Sequence, residues 1–233
     1  DSDIDIAIAG VMFGIFSSTG QSCIAGSRLF VQRDIYNEFV ERLVKATKKL
    51  KVGSPYNLDT QVSTMIHPQH RDSVAAYVDL ARNEGANILC GGESPSGAEY
   101  KKGAYYLPTI ITEVDNSAQI CREEVFGPVL AIMRTDEIDE AIAIENNSQY
   151  GNASSVYTQD GNLANYVTER VSAGMVGVNI GVPVPREPFS FGGWNESRFG
   201  IGDITGKSSI NFWTQLKKRT SKWNQSAKKN WMS

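Results

Sequence analysis

Histidine and cysteine are the scarce residues of this chain, two and three among 233. His67 and His70 stand as H-x-x-H, which can offer two ligands to a metal ion, but no third ligand follows at a telling spacing. The start of a solvated helix accounts for the pair equally well, and nothing in the sequence supports a Cys–His dyad. Cys23, Cys90 and Cys121 are odd in number and far apart, which excludes a C-x-x-C motif and argues against a disulfide framework. Free thiols in a reducing, cytoplasmic setting are the expectation. No apolar run reaches the roughly 18 residues that cross a bilayer, so no membrane partner is expected. A net charge of −3 gives no broad positive field for nucleic acid.

What is present has the periodicity of an α/β protein. Ile4, Ile8, Val11 and Ile15 recur at helical spacing behind the N-cap candidates Asp1 to Asp5, predicting a helix to about Ser18 that Gly20 ends. A short strand is expected over Arg28–Gln32, then a helix capped by Asp34 that carries Ile35, Phe39 and Leu43. A further helix is bounded by Pro68 at its first turn and Gly85 just past its end. Strand-like segments "ANILCGG", "YYLPTIITEV", Leu130–Met133, "ASSVYT" and "MVGVNI" alternate with helical ones over Asp136–Asn147 and Gly161–Ala173, the latter ended by Gly174. This order predicts a mainly parallel open sheet flanked by helices. From Gly181 the texture turns Gly- and Pro-rich, the mark of a long loop lining a site.

Four segments carry candidate chemistry. In "GQSCIAGSR" (20–28) Cys23 sits in a loop of glycines and small polar residues. An unassisted thiol with a pKa near 8.5 is only about 3% ionised at pH 7, so a nucleophilic cysteine needs help from its surroundings. A Gly-flanked loop lets substrate approach and aims backbone N–H groups at a developing oxyanion. A small buried apolar residue is the competing reading, and the loop alone does not choose between them. In "EEVFGPV" (123–129) two adjacent carboxylates point to opposite faces of an extended chain, so only one can face a site. "GDITGKSS" (202–209) resembles a phosphate loop, but Ile201 stands where the motif needs Gly. Residues 216–233 hold six Lys or Arg and no acid, fitting a nucleic-acid arm or an edge strand kept soluble by its lysines. Asn152 and Asn195 open N-x-S triplets that carry no other signal.

In order, "GQSCIAGSR", "EEVFGPV", "NNSQYGNASSVYT", "AGMVGVN" and "FSFGG" resemble the C-terminal catalytic half of the NAD(P)-dependent aldehyde dehydrogenase superfamily, over essentially the whole chain. "GVNIGVPVP" and "FWTQLKK" more faintly resemble its methylmalonate-semialdehyde branch, although Ser22 stands where that branch tends to have Arg. Arg186 is the candidate for an anion contact in its place, or else a surface residue. The resemblance implies that Cys23 is the nucleophile, attacking an aldehyde to give a thiohemiacetal whose hydride passes to NAD or NADP. It implies that the Cys23 N–H forms half an oxyanion hole, that Glu124 and Phe126 hold the nicotinamide ribose, and that Phe191 walls the aldehyde tunnel. It further implies a catalytic domain over 1–200 and a C-terminal helix and oligomerisation strand over 201–233, forming a homodimer or homotetramer. The family's dinucleotide-binding domain, its general-base Glu and its oxyanion Asn would all lie upstream of Asp1. Residue 1 is not Met and opens a helix, so the chain reads as part of something longer, expected to be inactive alone. A cofactor-free cysteine esterase and a non-catalytic assembly fragment are the alternatives.

Overall fold

A computed structural model describes residues 1–203 and 205–223. The first helix, α1 (Ile4–Phe16), begins where Asp3 accepts hydrogen bonds from the N–H groups of Asp5 and Ile6, satisfying two otherwise unpaired donors. Its Gly14 lies so close to the Gly181 carbonyl that an added Cβ would sit 2.8 Å from the oxygen. The chain leaves α1 through Ser18, Thr19 and Gly20, all with left-handed φ (51°, 57° and 70°). That reversal returns the backbone so that Gly26 N–H donates to Gly14 O at 3.2 Å.

Then come β1 (Arg28–Gln32), α2 (Arg33–Thr47), α3 (Pro68–Asn83), β2 (Asn87–Cys90), β3 (Thr109–Thr112), the short α4 (Gln119–Arg122) and β4 (Val129–Thr135). They build a four-stranded sheet in the order β1-β4-β3-β2, with β4 parallel to β1 and β3, and β2 antiparallel at the edge. Val129–Met133 is buried throughout, as a strand covered on both faces should be. Leu130 and Ile132 pack with α1 and α2 against Val11, Phe39 and Leu43. Val129, Ala131 and Met133 face the other way, into a cluster with Val74, Val78 and Tyr106. The period-2 alternation of one strand thus joins two cores.

Past α5 (Ile138–Asn146), β5 (Tyr150–Gly151) and β6 (Ala153–Val156) lead through α6 (Gly161–Thr168) to β7 (Met175–Val178) and β8 (Trp194–Asn195). β6 pairs parallel with β7, and β5 antiparallel with β8. The sheet is therefore mainly parallel, as expected, but it is split into one four-stranded and two two-stranded ladders rather than one run. No described helix is long and apolar enough to cross a membrane.

Three local expectations are corrected. Asp34 lies inside the first turn of α2, because β1 runs straight into the helix and leaves no residue to cap it. α6 stops at Thr168 instead of Ala173: the Asn146 side chain donates to Arg170 O (2.8 Å) and accepts from Ser172 N–H (2.6 Å), holding that turn out of the helix. Gly174 is then required by close approach to the Gly192 carbonyl, not by a helix end. At the C-terminal side lies α7 (Gly206–Trp213). Residues 214–223 pair with no strand among the described residues, and the remainder of the expected oligomerisation strand lies outside them.

Candidate active site

The backbone reversal at 18–20 sets the site. A Cβ on Gly20 would collide with the Gly127 carbonyl, so only glycine lets the Cys23 loop touch the "EEVFGPV" segment backbone to backbone. Gln21 pins the loop from one side, its Oε1 accepting from Ile66 N–H at 2.9 Å. Asn152 pins it from the other, its Nδ2 donating to Cys23 O at 2.6 Å. Between these anchors Cys23 is exposed, and its own backbone N–H donates to no group among the described residues. That leaves one directed donor beside a thiol. Cys90 and Cys121 differ: burial pushes both thiols up, Cys121 to about 11, so neither supplies thiolate near neutral pH.

The adjacent carboxylates divide as their opposed directions require. Glu123 is tied into the frame, accepting from Tyr77 Oη at 2.6 Å and from Gln119 Nε2 at 2.9 Å. The Glu124 carboxylate has no partner among the described residues. Phe126 takes a left-handed φ of 58°, leaving its ring partly exposed. His70 Nε2 lies 2.8 Å from Phe126 O, which fixes Nε2 as the protonated ring nitrogen because a carbonyl only accepts. His67 caps α3, its Nδ1 accepting from His70 N–H at 3.0 Å. Each ring of the H-x-x-H pair is committed to a protein hydrogen bond.

Cys23, Glu124 and Phe126 line one cavity of about 790 Å³, together with Asn152, Arg28 and Glu145. Arg28 and Glu145 form an ion pair at 2.7 Å in its wall, with side chains 14% and 19% exposed. Phe191 does not line this cavity; it is half-buried, and its N–H donates to Thr205 Oγ1 at 2.7 Å. The pinning role of Asn152 was missed in the sequence, where only its N-x-S triplet showed. Its position within "YGNASS", inside a segment already linked to the Cys23 loop by resemblance, was the available signal.

A model of the aldehyde dehydrogenase family matches residues 1–219. The betaine aldehyde dehydrogenase of Brucella ovis is 37% identical over 217 residues, covering 93% of this chain and 44% of that protein. Among solved structures, the NAD+ complex of aldehyde dehydrogenase from Bacillus cereus superposes with a TM-score of 0.87 at 34% identity, over 93% of this chain and 43% of that one. Methylmalonate-semialdehyde dehydrogenase from Oceanimonas doudoroffii gives a TM-score of 0.92 at 31% identity, over 97% and 46%. The chain thus spans less than half the length of the relatives it matches. With a family match from residue 1 to residue 219 and relatives above 30% identity, the chain belongs to the aldehyde dehydrogenase family.

Proposed function

We propose that these residues form the catalytic half of an enzyme that oxidises an aldehyde to an acid or an acyl-CoA, using NAD or NADP. The observation that carries this reading is the Gly20–Gly127 approach, which sets an exposed thiol and an unpartnered carboxylate around one cavity. Cys23 Sγ attacks the aldehyde carbonyl; the C–S bond forms as the S–H proton passes to water and the carbonyl π electrons move to oxygen. The free Cys23 N–H is the donor available to that oxyanion. The cofactor, when bound, supplies the hydride acceptor that converts the adduct to a thioester. Water or coenzyme A then cleaves the thioester and frees Cys23. Glu124, when ionised, fits a ribose diol because it is acceptor-only and no donor among the described residues occupies it, and Phe126 offers a partly exposed ring in the same cavity. Phe191 is proposed to act farther along the aldehyde's route.

A domain over 1–200 with a C-terminal appendage over 201–233, and a cytoplasmic, reducing setting, belong to the same proposal. So does self-association through the C-terminal strand, supported by the exposed, unpaired stretch 214–223 that carries Lys217, Lys218, Arg219 and Lys222.

Acylation tests the nucleophile. The 233-residue chain mixed with p-nitrophenyl acetate should release one equivalent of nitrophenolate in a burst. Cys23→Ala should abolish the burst, while Cys90→Ala and Cys121→Ala should retain it. A burst that survives Cys23→Ala overturns the assignment. Alkylation alone discriminates less, since exposure by itself favours Cys23. The same chain should not reduce NAD with simple aldehydes, because it covers under half of its relatives' length. Turnover near that of a full-length relative would refute that expectation, and continuing ester turnover without NAD would favour the esterase reading.

A further inference from the structure

Residues 70, 74 and 77 of α3 lie at i, i+4 and i+7, on one face of the helix. All three touch the segment that carries Glu124 and Phe126. His70 Nε2–H donates to Phe126 O at 2.8 Å. Val74 is fully buried against Gly127, where an added Cβ would meet Val74 Cγ2 at 2.7 Å. Tyr77 Oη donates to Glu123 Oε2 at 2.6 Å, and Gln119 holds the other Glu123 oxygen. One helical face is therefore hydrogen-bonded to the residue before Glu124 and to the carbonyl two residues after it, and is packed against the glycine that receives Gly20. Anchoring the segment at Glu123 on one side of Glu124 and at Phe126 on the other limits the directions in which the Glu124 side chain can leave the backbone. The same bonds hold Phe126 in its left-handed conformation, which costs a non-glycine residue about 1–2 kcal/mol if unsupported.

We propose that α3 is a splint for the cofactor-gripping segment, and that His70 and Tyr77 are positioning residues which aim Glu124 and Phe126 at the nicotinamide ribose. This rests on the reading of Glu124 given above. Neither residue need touch the cofactor. Each acts through the backbone or carboxylate that it holds.

The test uses the 233-residue chain and nicotinamide mononucleotide, the half of the cofactor that this segment would face. Binding is followed by amide shifts at Val125 and Gly127. Tyr77→Phe, which removes one oxygen, and His70→Ala should each weaken binding roughly three- to tenfold, the range of one lost hydrogen bond. His70→Gln, whose amide can reach the same carbonyl, should restore most of the loss. In a Glu124→Gln background Tyr77→Phe should weaken binding no further, because the effect runs through Glu124. Wild-type affinity in both single variants, or an undiminished Tyr77→Phe effect in the Glu124→Gln background, overturns the splint while leaving the cofactor reading intact. A wild-type chain that takes up no nicotinamide mononucleotide sinks the cofactor reading, and the splint with it.

Discussion

Arg28→Met should destabilise the chain by about 3 kcal/mol, the low end of the range for breaking a buried ion pair because both side chains keep some solvent contact. At this chain length that is a fall in Tm of about 6–12 °C. Arg28 also donates to Asn116 Oδ1 at 2.9 Å and lies over the Phe30 ring, so three contacts go together. The main cost is the charge left behind. Burial pushes the Glu145 carboxyl up, and the Arg28 guanidinium opposes this by pulling it down. A carboxyl raised in the folded state contributes stability at pH below its unfolded value and loses it as pH rises through the raised folded value. Without Arg28 the burial effect acts unopposed. The deficit of Arg28→Met should therefore be largest at mildly alkaline pH and shrink as Glu145 takes up a proton in mild acid. Adding Glu145→Gln should recover most of it at every pH. Urea unfolding of the single and double variants across that range checks the argument; a deficit independent of pH would show that packing, not charge, dominates.

Gly20→Ala should be the most damaging small substitution in the site. Alanine at a left-handed φ of 70° costs about 1–2 kcal/mol on its own, and its Cβ would collide with the Gly127 carbonyl as well. A loss of about 2 kcal/mol or more is expected, and the Cys23 loop must move off the segment carrying Glu124 to make room. The acylation burst at Cys23 should fall with it. Gly26→Ala is the control within the same loop: nothing lies within 4 Å of its Cβ position and its φ is not left-handed, so stability and burst should be preserved. Equal behaviour of the two variants in thermal unfolding would show that the Gly20 contact does not shape the site.

What could be read from the sequence was local. β1 at Arg28–Gln32, the Asp3-capped start of α1 and the Pro68 start of α3 follow from side chains within one turn of the elements they define. That only one of Glu123 and Glu124 can face a site followed from the opposed directions of neighbouring residues; that it is Glu124 came from the family resemblance. What escaped depends on partners far apart in sequence. Arg28 and Glu145 are 117 positions apart, and Asn152 and Cys23 are 129 apart. No window of 15 residues contains either pair. The division into separate ladders escaped for a related reason: the bonds that assign β6 and β4 each to its own sheet are long-range. The hydrogen bond between His70 and Phe126 escaped in the same way, its partners being 56 residues apart.

These separations also fix an order in time. A ribosome makes the Cys23 loop roughly a hundred residues before the Gly127 carbonyl that it must meet, and 129 residues before Asn152. β1 likewise waits for β4, its hydrogen-bonding neighbour. For most of the chain's synthesis Cys23 is an ordinary thiol on an unfinished edge. It enters its loop's final surroundings only once Asn152 has left the ribosome, so translation itself withholds the proposed nucleophile until those surroundings exist.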